Sequence, residues 1–473
     1  MAPDDVAFAS VVALGQLLRQ RKTSATELAT YFLDRLERIG PRFNAVVTVT
    51  RERALAEAAQ ADREIRQGKW RGPLHGIPYG VKDLLATKGY PTTWGAEPYR
   101  RQQFETDATV VERLGAAGGV LVAKLAMVEL AGGMGYNQAN ASFTGPGKTP
   151  WNPAYWSGGS SSGPGAAVAA GLVPFAIGSE TSGSILTPSA YCGVTGLRPT
   201  YGLVSRHGAM ALAWTMDKLG PMGRTAQDCA LVLAAIAGKD PKDPSSVSRG
   251  FTSPPVPLSA SRRGGTRFKI GIPKGADKDI QPEVAANFRA ALKVLEDRVE
   301  IVEDVELPDL PYGAVAGMII AAEGASAFDD LLKDGRLAQL TAPEDRTGGY
   351  PALAITAPDY LRALRVRRPM QRALDDFLKK FDVLAVPTRT TVASPIDKPF
   401  REGWPGITGG ANVIGPTNVV GVPGVSVPNG FGVQGLPTGL SFTTRAFDEG
   451  KLVAVAQLYQ SRTDWHTRHP PLD

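Results

Sequence analysis

The stretch from Ser157 to Thr200, SGGSSSGPGAAVAAGLVPFAIGSETSGSILTPSAYCGVTGLRPT, constrains this chain more than any other. Apart from Cys and Tyr, its only ionisable side chains are Glu180 and Arg198, yet it is crowded with Ser and Gly. Serines set among Ala, Val and Ile read as buried, and a buried hydroxyl without a partner costs about 1 to 3 kcal/mol. Each therefore needs a hydrogen bond or a chemical task. Clustered glycines let backbone N–H groups approach a ligand closely.

The rest of the 473-residue chain supplies the scaffold, and 43% of all its residues are apolar, enough for a sizeable core. Net charge is +6, but Lys and Arg are scattered and no basic run interleaves with aromatics, so nucleic acid is not an expected partner. Two cysteines, Cys192 and Cys229, point to reduced thiols and a cytoplasmic setting. The N-terminus lacks the basic and apolar regions of a signal peptide, and every apolar run is broken by charge, Gly or Pro, so no membrane span is expected. The four histidines form no HExxH and no CxxC occurs, which argues against zinc.

In chain order, the pattern predicts an N-terminal helical scaffold (1–69), a core (70–238), a connector (239–266) and a C-terminal α/β part (267–473). Ser24 and Glu27 form a capping box opening a helix that ends before Pro41. AVVTVT (45–50) alternates as a strand, and residues 52–68 form an amphipathic helix. Helix then strand is expected over 107–130. FKIGIP (268–273), a helix over 282–298 and a strand over 300–307 make a βαβ-like unit. Helices over 312–335 and 359–380 precede a buried strand at 381–388. Residues 239–266 read as an exposed connector, and 394–417 as a surface loop or a lid.

Three motifs carry chemistry: GIPYGVKD (76–83), GGSSSG (158–163) and ETSGSILTPSAYCGVTGLRPT (180–200). Lys82 and Asp83 taken alone make a surface pair at a strand end, whereas a buried Lys82 would have a lowered pKa and act as a base. No Lys follows the glycines, which excludes a phosphate-binding P-loop. Gly159 to Gly163 fit a G-x-S-x-G elbow with Ser161 as nucleophile and His207 or His466 as partner, a runner-up reading. His75 reads as structural, and Cys192 as a packed thiol.

Together the three motifs resemble the amidase signature family of serine hydrolases, with Ser160 and Ser184 standing 24 residues apart as that family's two serines do. The resemblance runs through 70–230 and returns at 418–431 and 436–442. It implies one large α/β domain, with a mixed twisted sheet covered by helices on both faces. It also implies a Ser-cis-Ser-Lys triad: Ser184 as nucleophile, Ser160 as bridge after a cis peptide bond, and Lys82 as base. The backbone N–H groups of Thr181, Ser182, Gly183 and Ser184 would form the oxyanion hole. Met134 and Tyr136 are candidates for the acyl pocket.

Where the family usually reads D-[TI]-G-G-S-I-R, this chain has Glu180, Ser182 and Leu186 at the Asp, second-Gly and Arg positions. Loss of that guanidinium leads to the expectation of a neutral, fairly apolar amide or carbamate (urethane) as substrate, hydrolysed without a cofactor by a monomer or homodimer. The alternative is the glutaminase subunit of a tRNA-dependent amidotransferase, which would work inside a complex.

Overall fold

The structure, a computed structural model, describes residues 6–254, 267–410 and 413–472. Eleven strands among them form one mixed sheet. In chain order they are β1 (Val46–Val49), β2 (Pro78–Lys82), β3 (Val120–Leu125), β4 (Phe175–Glu180), β5 (Thr195–Arg198), β6 (Lys218–Gly223), β7 (Phe268–Pro273), β8 (Val299–Val305), β9 (Val383–Pro387), β10 (Gly424–Phe431) and β11 (Pro437–Thr443). Across the sheet they run β1-β3-β2-β4-β6-β5-β10-β11-β9-β7-β8.

β2 is parallel to β3 and β4, while the pairs from β4 through β6, β5, β10 and β11 to β9 are antiparallel. Strands covered on both faces bury every residue, and β2, β3 and β4 do so. The edge strand β8 instead exposes Glu300, Glu303 and Asp304, charges that discourage pairing with another chain. The pairing of Gly424 with Arg198 joins the serine-rich half to the C-terminal half, so the chain is one α/β domain.

Local signals set the helices. Ser24 Oγ accepts from Glu27 N–H at 3.1 Å and Glu27 Oε2 accepts from Ser24 N–H at 2.8 Å, closing the predicted capping box. The helix it opens, Ala25–Ile39, buries Leu28, Phe32, Leu33 and Leu36. The helix expected over 312–335 is interrupted: it runs Tyr312–Ala327, breaks at Phe328 and resumes as Asp329–Lys333. The Phe328 ring is buried and lies 6.3 Å from the Trp94 ring, a packing demand that overrides helical continuity.

Residues 239–254 carry no helix or strand and are mostly exposed or half-buried, though they are pinned where buried Asp240 accepts hydrogen bonds from the hydroxyls of Ser205 at 2.5 Å and Thr109 at 2.6 Å; residues 255–266 lie outside the described set. Residues 394–417 contain the short helix Phe400–Gly403 and the start of Ile414–Val420, with 411–412 outside the described set. Among the described residues no helix is long and apolar enough to cross a membrane.

Candidate active site

Lys82 closes β2 with its side chain fully buried. Its Nζ donates to Ser160 Oγ at 2.7 Å and lies 2.9 Å from Ser179 Oγ. Among the described residues it forms no ion pair. Burial drives its pKa down to about 7, with the charges of Asp217 and Glu180 opposing the fall. The surface Lys82–Asp83 pair considered from sequence does not form. Asp83 pairs instead with Lys124 at 2.9 Å, both buried, and accepts from Thr93. The carboxylate next in sequence is thus spent on another cation, leaving Lys82 only hydroxyls.

Ser160 stands just before the helix Ser162–Ala169, and the Gly159–Ser160 peptide bond is cis. Only glycine fits at 159: a Cβ there would sit 2.7 Å from the Trp156 ring and 2.8 Å from Val128. The elbow reading loses its nucleophile, because the Ser161 hydroxyl is buried and donates to the Ser179 carbonyl at 3.1 Å.

The turn from β4 into the helix Leu186–Cys192 is built on Glu180. Its Oε2 accepts from the N–H groups of Ile185 at 2.8 Å and Leu186 at 3.0 Å. Its Oε1 accepts from Arg198 at 2.8 Å and Asn418 at 2.7 Å. Burial works to raise the Glu180 pKa, but the Arg198 guanidinium and these donors bring it below the usual carboxylate value. Gly183 adopts φ +93°, a conformation costly for any other residue. Among the described residues the N–H groups of Ser182, Gly183 and Ser184 make no hydrogen bond, and Ser182 and Ser184 line the adjoining cavity.

A cavity of about 470 Å³ opens onto this turn and is lined by Gly159, Thr181, Ser182, Ser184 and Thr187. Tyr136, Trp156, Tyr191, Phe400 and Trp404 give it aromatic walls, and Arg389 and Arg401 give it charge. The Trp156 and Phe400 rings stack with centroids 4.3 Å apart, which holds the 394–404 segment over the cavity. The apolar pocket expected from Leu186 is therefore not what these walls present. Leu186 is buried outside the cavity, next to Gly424.

Of the two acyl-pocket candidates, Tyr136 lines the cavity and Met134 does not; Met134 is buried against the turn at Gly348 and Gly349. His75 is buried and accepts from Arg71 N–H at 3.1 Å through Nδ1. Burial pushes the Cys192 thiol pKa far up, and its Sγ–H donates to the Ser157 carbonyl at 3.2 Å. Sequence reasoning missed Ser179 and Arg389. Ser179 had a visible signal, a hydroxyl in the otherwise buried run of β4. Arg389 follows the C-terminal end of β9, the end of a strand where α/β sheets bind ligands.

A family model described as Amidase matches residues 27–453. A glutamyl-tRNA(Gln) amidotransferase subunit from Roseiflexus sp. (strain RS-1) is 39% identical, with 97% of each chain covered. Among solved structures, native peptide amidase from Stenotrophomonas maltophilia superimposes with a TM-score of 0.83 at 31% identity, covering 98% of both chains. The corresponding glutamyl-tRNA(Gln) amidotransferase subunit from Thermotoga maritima gives a TM-score of 0.77 at 28% identity, also over 98% of both.

Proposed function

The chain belongs to the amidase signature family, and from that premise we propose that it cleaves the carbonyl C–N bond of an amide through an acyl-enzyme on Ser184. The observation that carries this reading is the 2.7 Å contact between the Ser160 hydroxyl and a buried Lys82 without a carboxylate partner. A serine hydroxyl is too weak an acid to attack an amide unaided and needs a base. Neutral Lys82 takes the Ser160 proton as Ser160 takes that of Ser184, and Ser184 Oγ attacks the carbonyl carbon.

The developing oxyanion is received by the N–H groups of the 181–184 turn, each such donor being worth about 2.7 to 4 kcal/mol of barrier. Collapse of the tetrahedral intermediate breaks the C–N bond, and the relay returns its proton to the leaving nitrogen. Water then enters, gives its proton to the same relay and releases the acid. Ser179, the second group on Nζ, aims the amine at Ser160.

For the substrate, the relatives and the arginines in the cavity favour the amidotransferase reading over hydrolysis of an apolar amide or urethane. Leu186, buried outside the cavity, does not weigh against it. In that reading the chain releases ammonia from glutamine within an assembly of further subunits. The test is turnover of glutamine, a simple anilide and a carbamate by the purified chain alone. The amidotransferase reading predicts that anilide and carbamate turn over no faster than glutamine; much faster turnover of either, lost in Ser184→Ala and Lys82→Ala, points instead to a stand-alone hydrolase.

A further inference from the structure

Arginines near the site are mostly committed. Arg198 pairs with Glu180 at 2.8 Å, Arg206 faces Asp243 at 3.7 Å, and Arg401 faces Glu402 at 3.4 Å. Arg367 donates to the carbonyls of Val419 and Thr215. Arg389 differs. It follows β9, remains open to solvent through the cavity, and shares the cavity wall with Ser184. Its hydrogen bond among the described residues is a long one, Nε to the Tyr191 hydroxyl at 3.4 Å, and it forms no ion pair with them. Its charge reaches Tyr136 across the cavity, where burial raises the phenol pKa and Arg389 opposes the rise. None of the described lining residues is Asp or Glu.

A guanidinium fork matches a carboxylate with two parallel hydrogen bonds, and one with no carboxylate partner is prepared to receive such a group from a ligand. We propose that Arg389 anchors a carboxylate carried by the substrate, making this an enzyme for amides whose acyl part ends in a carboxylate. With no acid among the described lining residues to receive an ammonium, the anchor reads the carboxylate alone, so a dicarboxylic monoamide serves at least as well as the amide of an amino acid. This rests on the acyl-enzyme reading above.

The test compares glutaramate (carboxylate only), glutamine (carboxylate and ammonium) and valeramide (neither). Each is measured for hydrolysis and for slowing fluorophosphonate labelling of Ser184, in wild type, Arg389→Gln and Arg389→Lys. The expected result is that glutaramate exceeds valeramide by about tenfold or more in kcat/KM, or in protection where turnover is too slow to read. That ratio collapses in Arg389→Gln and is partly kept in Arg389→Lys, and glutamine does not exceed glutaramate. An equal response to glutaramate and valeramide, a ratio unchanged in Arg389→Gln, or glutamine well above glutaramate overturns the proposal. Labelling at Ser184 with no such preference sinks the anchor alone; absence of labelling at Ser184 sinks the acyl-enzyme reading and the anchor with it.

Discussion

The Lys82 ammonium nitrogen lies 2.7 Å from Ser160 Oγ, while the carboxylate beside it in sequence, Asp83, is bound to Lys124 at 2.9 Å. A lysine in this position is surrounded by hydroxyls and apolar atoms, which stabilise its neutral form. That arrangement, more than any single serine, equips the site for proton transfer.

Lys82 titrates near pH 7, so acylation rises as pH increases through about 7, following loss of its proton. The sign for stability agrees: the folded pKa is below the ordinary lysine value of 10.5, so this group's contribution is full above about 10.5 and is lost as pH falls to about 7. A pH profile of the acylation rate in single turnover checks it. A flat profile from about pH 5 to 9 contradicts it.

Glu180 holds both the 181–186 turn and Arg198, so Glu180→Gln leaves a buried guanidinium without its counter-charge. Breaking a buried pair from one side costs about 3 to 5 kcal/mol. Urea unfolding should show a loss of that order, with activity falling as the turn loosens. A loss below about 1 kcal/mol, the range of exposed pairs, would mean that the turn holds itself.

Asp345 is buried, its carboxyl group faces that of Glu129, and among the described residues no amide or hydroxyl group donates to it. Burial first, and then the nearby Glu129 charge, push its pKa up to about 8. A raised folded pKa contributes stability that is full below the ordinary aspartate value of 3.8 and is lost as pH rises to about 8. The melting temperature of the wild type should therefore fall between about pH 6 and pH 9, and Asp345→Asn should fall less. Equal falls would contradict the assignment.

Much of this was legible in sequence because the informative residues are local. The capping box at Ser24, the strand FKIGIP and the motifs around Lys82, Ser160 and Ser184 are short patterns whose spacing carries their meaning. What the sequence did not disclose depends on packing between distant segments. Asp83 is claimed by Lys124 because β2 and β3 are adjacent parallel strands, with Val81 opposite Lys124. Met134 points to the turn at Gly348 instead of the cavity, and Leu186 packs by Gly424, contacts that no local pattern encodes. Arg389 enters the site from the far half of the sheet, which is why an apolar pocket was expected where a cation stands.

The proposed chemistry turns on Ser184 as the nucleophile, with Lys82 as its base through Ser160. Fluorophosphonate treatment, followed by peptide mass spectrometry to locate the adduct, separates the alternatives when run on wild type, Ser184→Ala and Lys82→Ala. An adduct on Ser184 is expected in wild type and none in Ser184→Ala, with labelling slowed about a thousandfold or more in Lys82→Ala. An adduct on Ser161, or labelling of Ser184 that is as fast without Lys82, would contradict these roles.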